Sequence, residues 1–227
     1  MQTYRMSIKG YRESSMINFE IKELPEAPLV WPAGKNGYIG YCDSIFDKNF
    51  CDGVINLCEG QPERFSPGLT LGGVSTHIKN SLDWFLDANY ESPTNVEQEY
   101  DFRIHAELQK VVSLYRLSYP HLILHCDSDK FARSDTGYQV QKYIKNTGNY
   151  IEHIDGATWI DSGPRTLAAI LYLNTVTHGG GTQFPIQNVT IDAVAGRVVL
   201  FPAEWTHPHS GLVPLSDDKW IISTFLF

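Results

Sequence analysis

The chain has 227 residues, 42% hydrophobic and 12% aromatic, which suffices for an ordinary buried core and is too apolar for a disordered chain. Its formal charge of -8 argues against a protein whose main work is gripping a nucleic acid backbone, since that needs clustered Lys and Arg. No linker rich in Pro, Gly or Ser and no repeat divides it, so one domain over 1–227 is expected. Cys42, Cys51, Cys58 and Cys126 lack C-x-x-C spacing and are expected as reduced, mostly buried thiols. The N-terminal "MQTYRMSIKGYRES" has no apolar signal-peptide core, and "RVVLFPAEW" and "KWIISTFLF" are too short to span a bilayer. The expectation is a soluble cytoplasmic protein with neither membrane nor nucleic acid as partner.

Residues 1–40 read as an irregular approach punctuated by Pro and Gly. "IFDKNFCDGVINLCEG" then predicts a helix, with Phe50, Val54 and Leu57 at helical spacing, Asp47 as N-cap and Gly60 as stop. "THIKNSLDWFLDA" is expected as a second helix. "EQEYDFRIHAELQKVVSLYRLSYP" is expected as a third, with Leu108, Val111, Val112 and Tyr115 on one face and Pro120 beyond its end. From about Gly137 the texture changes to short β-prone runs separated by Gly, Asn, Asp and Pro, of which "YQVQKYI", "RTLAAILYLN", "GRVVLFP" and "KWIISTFLF" are the clearest strands. A helix-rich part over about 1–120 and a strand-rich core over about 121–227 predict an α+β fold, with helices packed on one face of a jelly roll.

"YIEHIDG" places His153 and Asp155 one residue apart at the end of a predicted strand. Alone, that pair is as well explained by two solvated side chains. Iron(II) that must activate oxygen needs two imidazoles and one carboxylate, leaving adjacent positions open. A distant histidine is therefore required, and "FPAEWTHPHSG" offers His207 and His209, followed by Lys219 at the head of the last strand. A buried cation suits such a site. Two positive charges on iron, one negative on aspartate and two on 2-oxoglutarate leave one negative charge for a lysine to balance.

These motifs resemble the 2-oxoglutarate and iron(II)-dependent dioxygenases, specifically the prolyl 4-hydroxylase catalytic-domain group. "YIKNTGNYIEHID" is similar to that group's Tyr, Gly-containing turn and Tyr-x-x-His-x-Asp. "RTLAAILYLNTVTHGGGTQFP" is similar to its Arg, Tyr-Leu-Asn and Gly-Gly-x-Thr-x-Phe-Pro run. "AGRVVLFP", a His and "KW" follow in the family's order. "IFDKNFCDGVI" resembles the helix that commonly opens the domain. The resemblance implies a double-stranded β-helix fold.

It also implies roles. His153 and Asp155 would be iron ligands. The interval back from Lys219 selects His209 as the third, whereas the interval forward from the Phe-Pro pair selects His207; His209 is the preferred reading. Lys219, Tyr143 and Thr182 would bind 2-oxoglutarate, and Tyr150 and Arg165 would face substrate. Trp159 and Trp205 flank the ligand segments, as entrance walls or as packing. Gly181 departs from the family, which commonly has an acidic residue in that turn. The implied reaction consumes 2-oxoglutarate and O2, with Fe(II) as cofactor and ascorbate as reductant, and hydroxylates an unactivated C–H bond with succinate and CO2 as coproducts. A prolyl residue of a peptide or protein is the expected substrate. A free amino acid or other small molecule is the alternative, and a non-catalytic metal-binding jelly roll is a third reading.

Overall fold

The computed structural model describes residues 24–70, 72–86, 96–122, 135–156, 158–159 and 163–227. In chain order the elements begin with β1 (Gly40–Cys42), α1 (Lys48–Glu59), β2 (Ser66–Pro67), β3 (Leu69–Thr70) and β4 (Gly73–Val74). Next come β5 (Lys79–Asn80), β6 (Leu82–Phe85), α2 (Val96–Ser118), β7 (Gln139–Tyr143) and β8 (Asn149–His153). Then follow β9 (Thr158–Trp159), β10 (Gly163–Pro164), β11 (Leu167–Tyr172) and β12 (Thr182–Phe184). The last four are β13 (Val189–Ile191), β14 (Val198–Pro202), β15 (His209–Gly211) and β16 (Lys219–Leu226).

Both long helices form where periodicity places them. The Asp47 carboxylate caps α1 by accepting from the Phe50 amide at 2.8 Å, and the Gly60 amide closes the other end on the Asn56 carbonyl at 2.9 Å. Helix α2 carries Glu97 and Glu99 in its first turn and Arg116 in its last, matching the helix dipole. Ile104, Leu108, Val111, Val112 and Tyr115 form its buried stripe.

The strands make two main antiparallel sheets. One has seven strands in the order β1-β14-β11-β16-β7-β6-β2, and the other has five in the order β13-β12-β15-β8-β5. Strand β11 lies near the middle of the larger sheet and is buried throughout. Leu167, Ala169 and Leu171 pack in the cluster that contains α1 and α2, whereas Ala168, Ile170 and Tyr172 pack in a second cluster with Phe184 and Ile191 of the smaller sheet. An unbroken apolar strand is thus explained by helices on one face and a second sheet on the other. This is the jelly roll with helices on one face.

One expected element is corrected. "THIKNSLDWFLDA" is not a helix: β5 pairs with β8 in the smaller sheet, and β6 pairs with β7 in the larger. Its residues Asp87 and Ala88 lie outside the described residues. The spacing of Ile78, Leu82 and Phe85 imitates a helical stripe, but Asp83 and Trp84 are both buried, as a strand with two covered faces requires. Strands from the N-terminal part, β1, β2, β5 and β6, therefore join both sheets.

Cys42, Cys51 and Cys58 are buried free thiols, and burial pushes them up to about 12, about 11 and about 12, which leaves them protonated and inert. Cys126 lies outside the described residues. No helix among the described residues is long and apolar enough to cross a membrane.

Candidate metal centre and its cavity

His153 ends β8 and His209 opens β15, and the two are cross-strand partners, so strand pairing alone brings the imidazoles together. The chain leaves the sheet after His153 and sets Asp155 between them. His153 Nε2 lies 3.5 Å from Asp155 Oδ1, and His209 Nε2 lies 3.4 Å from Asp155 Oδ2. One potential ligand atom from each residue lies within 4.8 Å of the others.

Both rings are held in the tautomer a metal needs. Nδ1–H of His153 donates to the Ile151 carbonyl at 2.8 Å, and Nδ1–H of His209 donates to the His207 carbonyl at 3.2 Å. Each Nε2 lone pair is then directed at the shared site. Tyr150 stacks on His153 with centroids 3.4 Å apart and planes at 14°, while Phe201 and Phe184 pack around His209. Burial lowers the His209 pKa, keeping the imidazole neutral. Burial alone would raise the Asp155 carboxyl, but its contacts with the His153 and His209 imidazoles and the positive field of Arg165 outweigh it and hold the group below the usual carboxylate range. Two imidazoles and one carboxylate are a donor set that would suit Fe(II) with positions left open for other ligands.

The structure groups His209, not His207, with His153 and Asp155. The His207 ring is buried elsewhere: Nε2–H donates to the Gly37 carbonyl at 3.0 Å, and Nδ1 accepts from the Thr206 hydroxyl at 2.9 Å. It anchors the approach to β1.

The trio lies in a cavity of about 740 Å³ between the sheets, which Tyr143, Tyr150, Arg165, Thr182 and Lys219 also line. Lys219 is only 1% exposed, and its ammonium forms no hydrogen bond or ion pair among the described residues. Burial pushes it down to about 7. Its Nζ sits 4.5 Å from the Tyr143 ring centroid. The Tyr143 hydroxyl donates to Gln141 Oε1 at 2.7 Å, and the Thr182 hydroxyl meets that of Tyr172 at 2.6 Å. Arg165 donates to the Asp155 carbonyl at 3.1 Å and lies 3.7 Å from the Phe225 ring centroid. Trp205 is 74% exposed, and the Trp159 side chain lies outside what is described. Gly181 has a packing reason: a Cβ there would lie 2.8 Å from Thr190 Cγ2 and 3.0 Å from the Ile191 carbonyl oxygen.

Two cavity residues, Gln141 and Lys79, and the buried partner of the second, Asp83, escaped the sequence reading. Gln141 alternates with buried Val140 in β7, and a polar residue at the inward position of a strand is the signal that could have found it. Lys79 and Asp83, 4% and 3% exposed with Nζ 2.6 Å from Oδ2, imitated a helical surface pair at i and i+4.

Residues 138–227 match the family model described as the 2OG-Fe(II) oxygenase superfamily. No curated protein matches the chain. Among solved structures, a prolyl-4-hydroxylase from Pseudomonas putida is similar with a TM-score of 0.63 at 16% identity, over 85% of this chain and 94% of that one. The viral collagen prolyl hydroxylase of Paramecium Bursaria Chlorella virus-1, in its 2OG complex, gives 0.57 at 21% identity, over 84% and 96%. A prolyl hydroxylase from Trichoplax adhaerens, in complex with a hypoxia inducible factor oxygen degradation domain peptide fragment, gives 0.58 at 19% identity, over 85% and 84%. At these identities the likeness is one of fold.

Proposed function

We propose that the chain is a 2-oxoglutarate-dependent dioxygenase, a reading supported by the match of residues 138–227 to the 2OG-Fe(II) oxygenase model, and that it hydroxylates a prolyl residue of a peptide or protein, with succinate and CO2 as coproducts. The observation that carries the chemistry is a buried lysine with no hydrogen-bond or ion-pair partner among the described residues, in the same cavity as two imidazoles and a carboxylate. A structural metal site has no use for that cation. A dianionic cosubstrate does.

In this reading His153, Asp155 and His209 hold Fe(II). The metal, when bound, supplies adjacent sites for 2-oxoglutarate and O2 and the oxidising power for C–H cleavage, with ascorbate as reductant. Lys219 neutralises the distal carboxylate of 2-oxoglutarate, the Thr182 hydroxyl donates to it, and the Tyr143 hydroxyl does so by exchanging Gln141 Oε1 for the carboxylate. Ile170 and Ile221 line the same cavity and keep water from the reacting centre.

Prolyl specificity draws on the structural relatives and on the wall near the metal. There the Arg165–Phe225 stack, with the edge of Tyr150 beside it, offers an apolar wall for a pyrrolidine ring and a guanidinium for backbone carbonyls. The test is succinate release with Fe(II) and 2-oxoglutarate, followed by mass spectrometry of the added substrate. Proline-rich peptides should stimulate turnover and gain one oxygen. Stimulation by free proline or another small molecule alone would replace the peptide reading. No turnover with any substrate, together with metal binding that 2-oxoglutarate leaves unchanged, would favour a non-catalytic metal protein.

A further inference from the structure

Behind Tyr150 the cavity wall contains a buried ion pair that the proposed chemistry does not use. Lys79 lies opposite Tyr150 in the β5–β8 pairing and lines the cavity, with Nζ 5.5 Å from the Tyr150 ring centroid. Asp83 holds that ammonium at 2.6 Å and accepts from the Ser81 hydroxyl at 2.7 Å. The chain packs closely over the pair: a Cβ on Gly68 would lie 2.4 Å from Ser81 Oγ and 3.0 Å from Lys79 Cδ.

Stability alone is a poor reason for this arrangement, because apolar residues of similar volume often serve a fold as well as a buried ion pair or better. What distinguishes the pair is its neighbour. The ring that Lys79 approaches is the ring stacked on His153. We propose that Lys79 is a positioning residue for the metal centre, acting through Tyr150 on His153. Attraction between the ammonium and the ring's π electrons fixes the tyrosine, and the stacked tyrosine fixes the imidazole plane with Nε2 toward Asp155. Asp83 keeps the ammonium at the ring, so that it does not swing toward Asp155 or compete with Lys219 for a bound carboxylate. The inference rests on the metal reading of His153, Asp155 and His209.

The test uses the full chain and metal binding without turnover. The variant Lys79→Met/Asp83→Leu removes both charges and strands neither. It should melt near the wild type, bind Mn(II) about tenfold more weakly, and show a changed Co(II) absorption spectrum, in line with the usual cost of losing an outer support of a metal ligand. In a Tyr150→Leu background the same pair of substitutions should change neither affinity nor spectrum further. Wild-type affinity and spectrum in the variant, or an equal loss in both backgrounds, overturns the proposal. If the double variant melts far below the wild type, Lys79→Gln and Lys79→Arg give the comparison, and Arg must restore the affinity that Gln loses. A wild-type protein that takes up no Mn(II) would instead overturn the metal reading itself.

Discussion

His207 and His209 differ by two positions in sequence and entirely in surroundings, and their hydrogen bonds set what each does. His209→Ala removes an Nε2 aimed at Asp155 and should abolish metal retention and turnover in a folded protein. His207→Ala leaves the Gly37 carbonyl without its donor, so it should cost about 1–3 kcal/mol of stability while metal uptake persists. Equilibrium dialysis with Mn(II) and a urea melt separate the two, and the reverse pattern would transfer the ligand role to His207. Lys219 carries a pH signature. In the ligand-free protein burial lowers its pKa to about 7, and a dianion recruits only the charged form. Affinity for 2-oxoglutarate should therefore be full below that value and fall as pH rises through it, by up to about tenfold per unit. Calorimetric titration of the Mn(II)-loaded protein checks this, and Lys219→Arg, charged throughout, should flatten the profile. A flat profile in the wild type would place the anion elsewhere.

At the scale of the element, the shape of the chain around Gly181 fixes what the turn tolerates. Strand β13 approaches closely enough that Gly181→Asp, the acidic residue the resemblance led one to expect, should destabilise by about 1–3 kcal/mol through overpacking. It should also disturb Thr182, which pairs with Ile191 across the same strands. An unchanged urea midpoint would show that β13 yields. What was legible in the sequence divides along similar lines. Helix α1 was readable because a cap, an apolar stripe and a glycine stop agreed, and α2 because an apolar stripe ran up to a proline beyond its end. Strands β7, β11, β14 and β16 were readable from β-branched runs between turn residues. The segment holding β5 and β6 was not, because it crosses from one sheet to the other after two residues, too short a run for a period of two to show. The three side chains of the candidate metal site were nameable through motif order, whereas Lys79 and Asp83 owe their place to sheet closure, which no local pattern encodes.

Across the whole molecule, the two sheets divide the site between them. His153, His209 and Thr182 belong to the five-stranded sheet, and Tyr143 and Lys219 belong to the seven-stranded sheet, so a ligand held by these residues would join the two. In the proposed reading 2-oxoglutarate would meet the metal at one end and Lys219 at the other, and its binding should therefore tie the sheets together and raise the melting temperature beyond what metal alone achieves. A ligand at a hundred times its Kd adds about 2.7 kcal/mol to folding, enough to resolve in a thermal melt. Mn(II) alone should give a first increment, absent in Asp155→Ala. Addition of 2-oxoglutarate should give a second that depends on prior metal. In Lys219→Ala the first increment should remain and the second should vanish, since the distal carboxylate would then face an uncharged wall. A second increment that appeared without metal, or survived in Lys219→Ala, would mean that the cosubstrate does not bridge the two sheets.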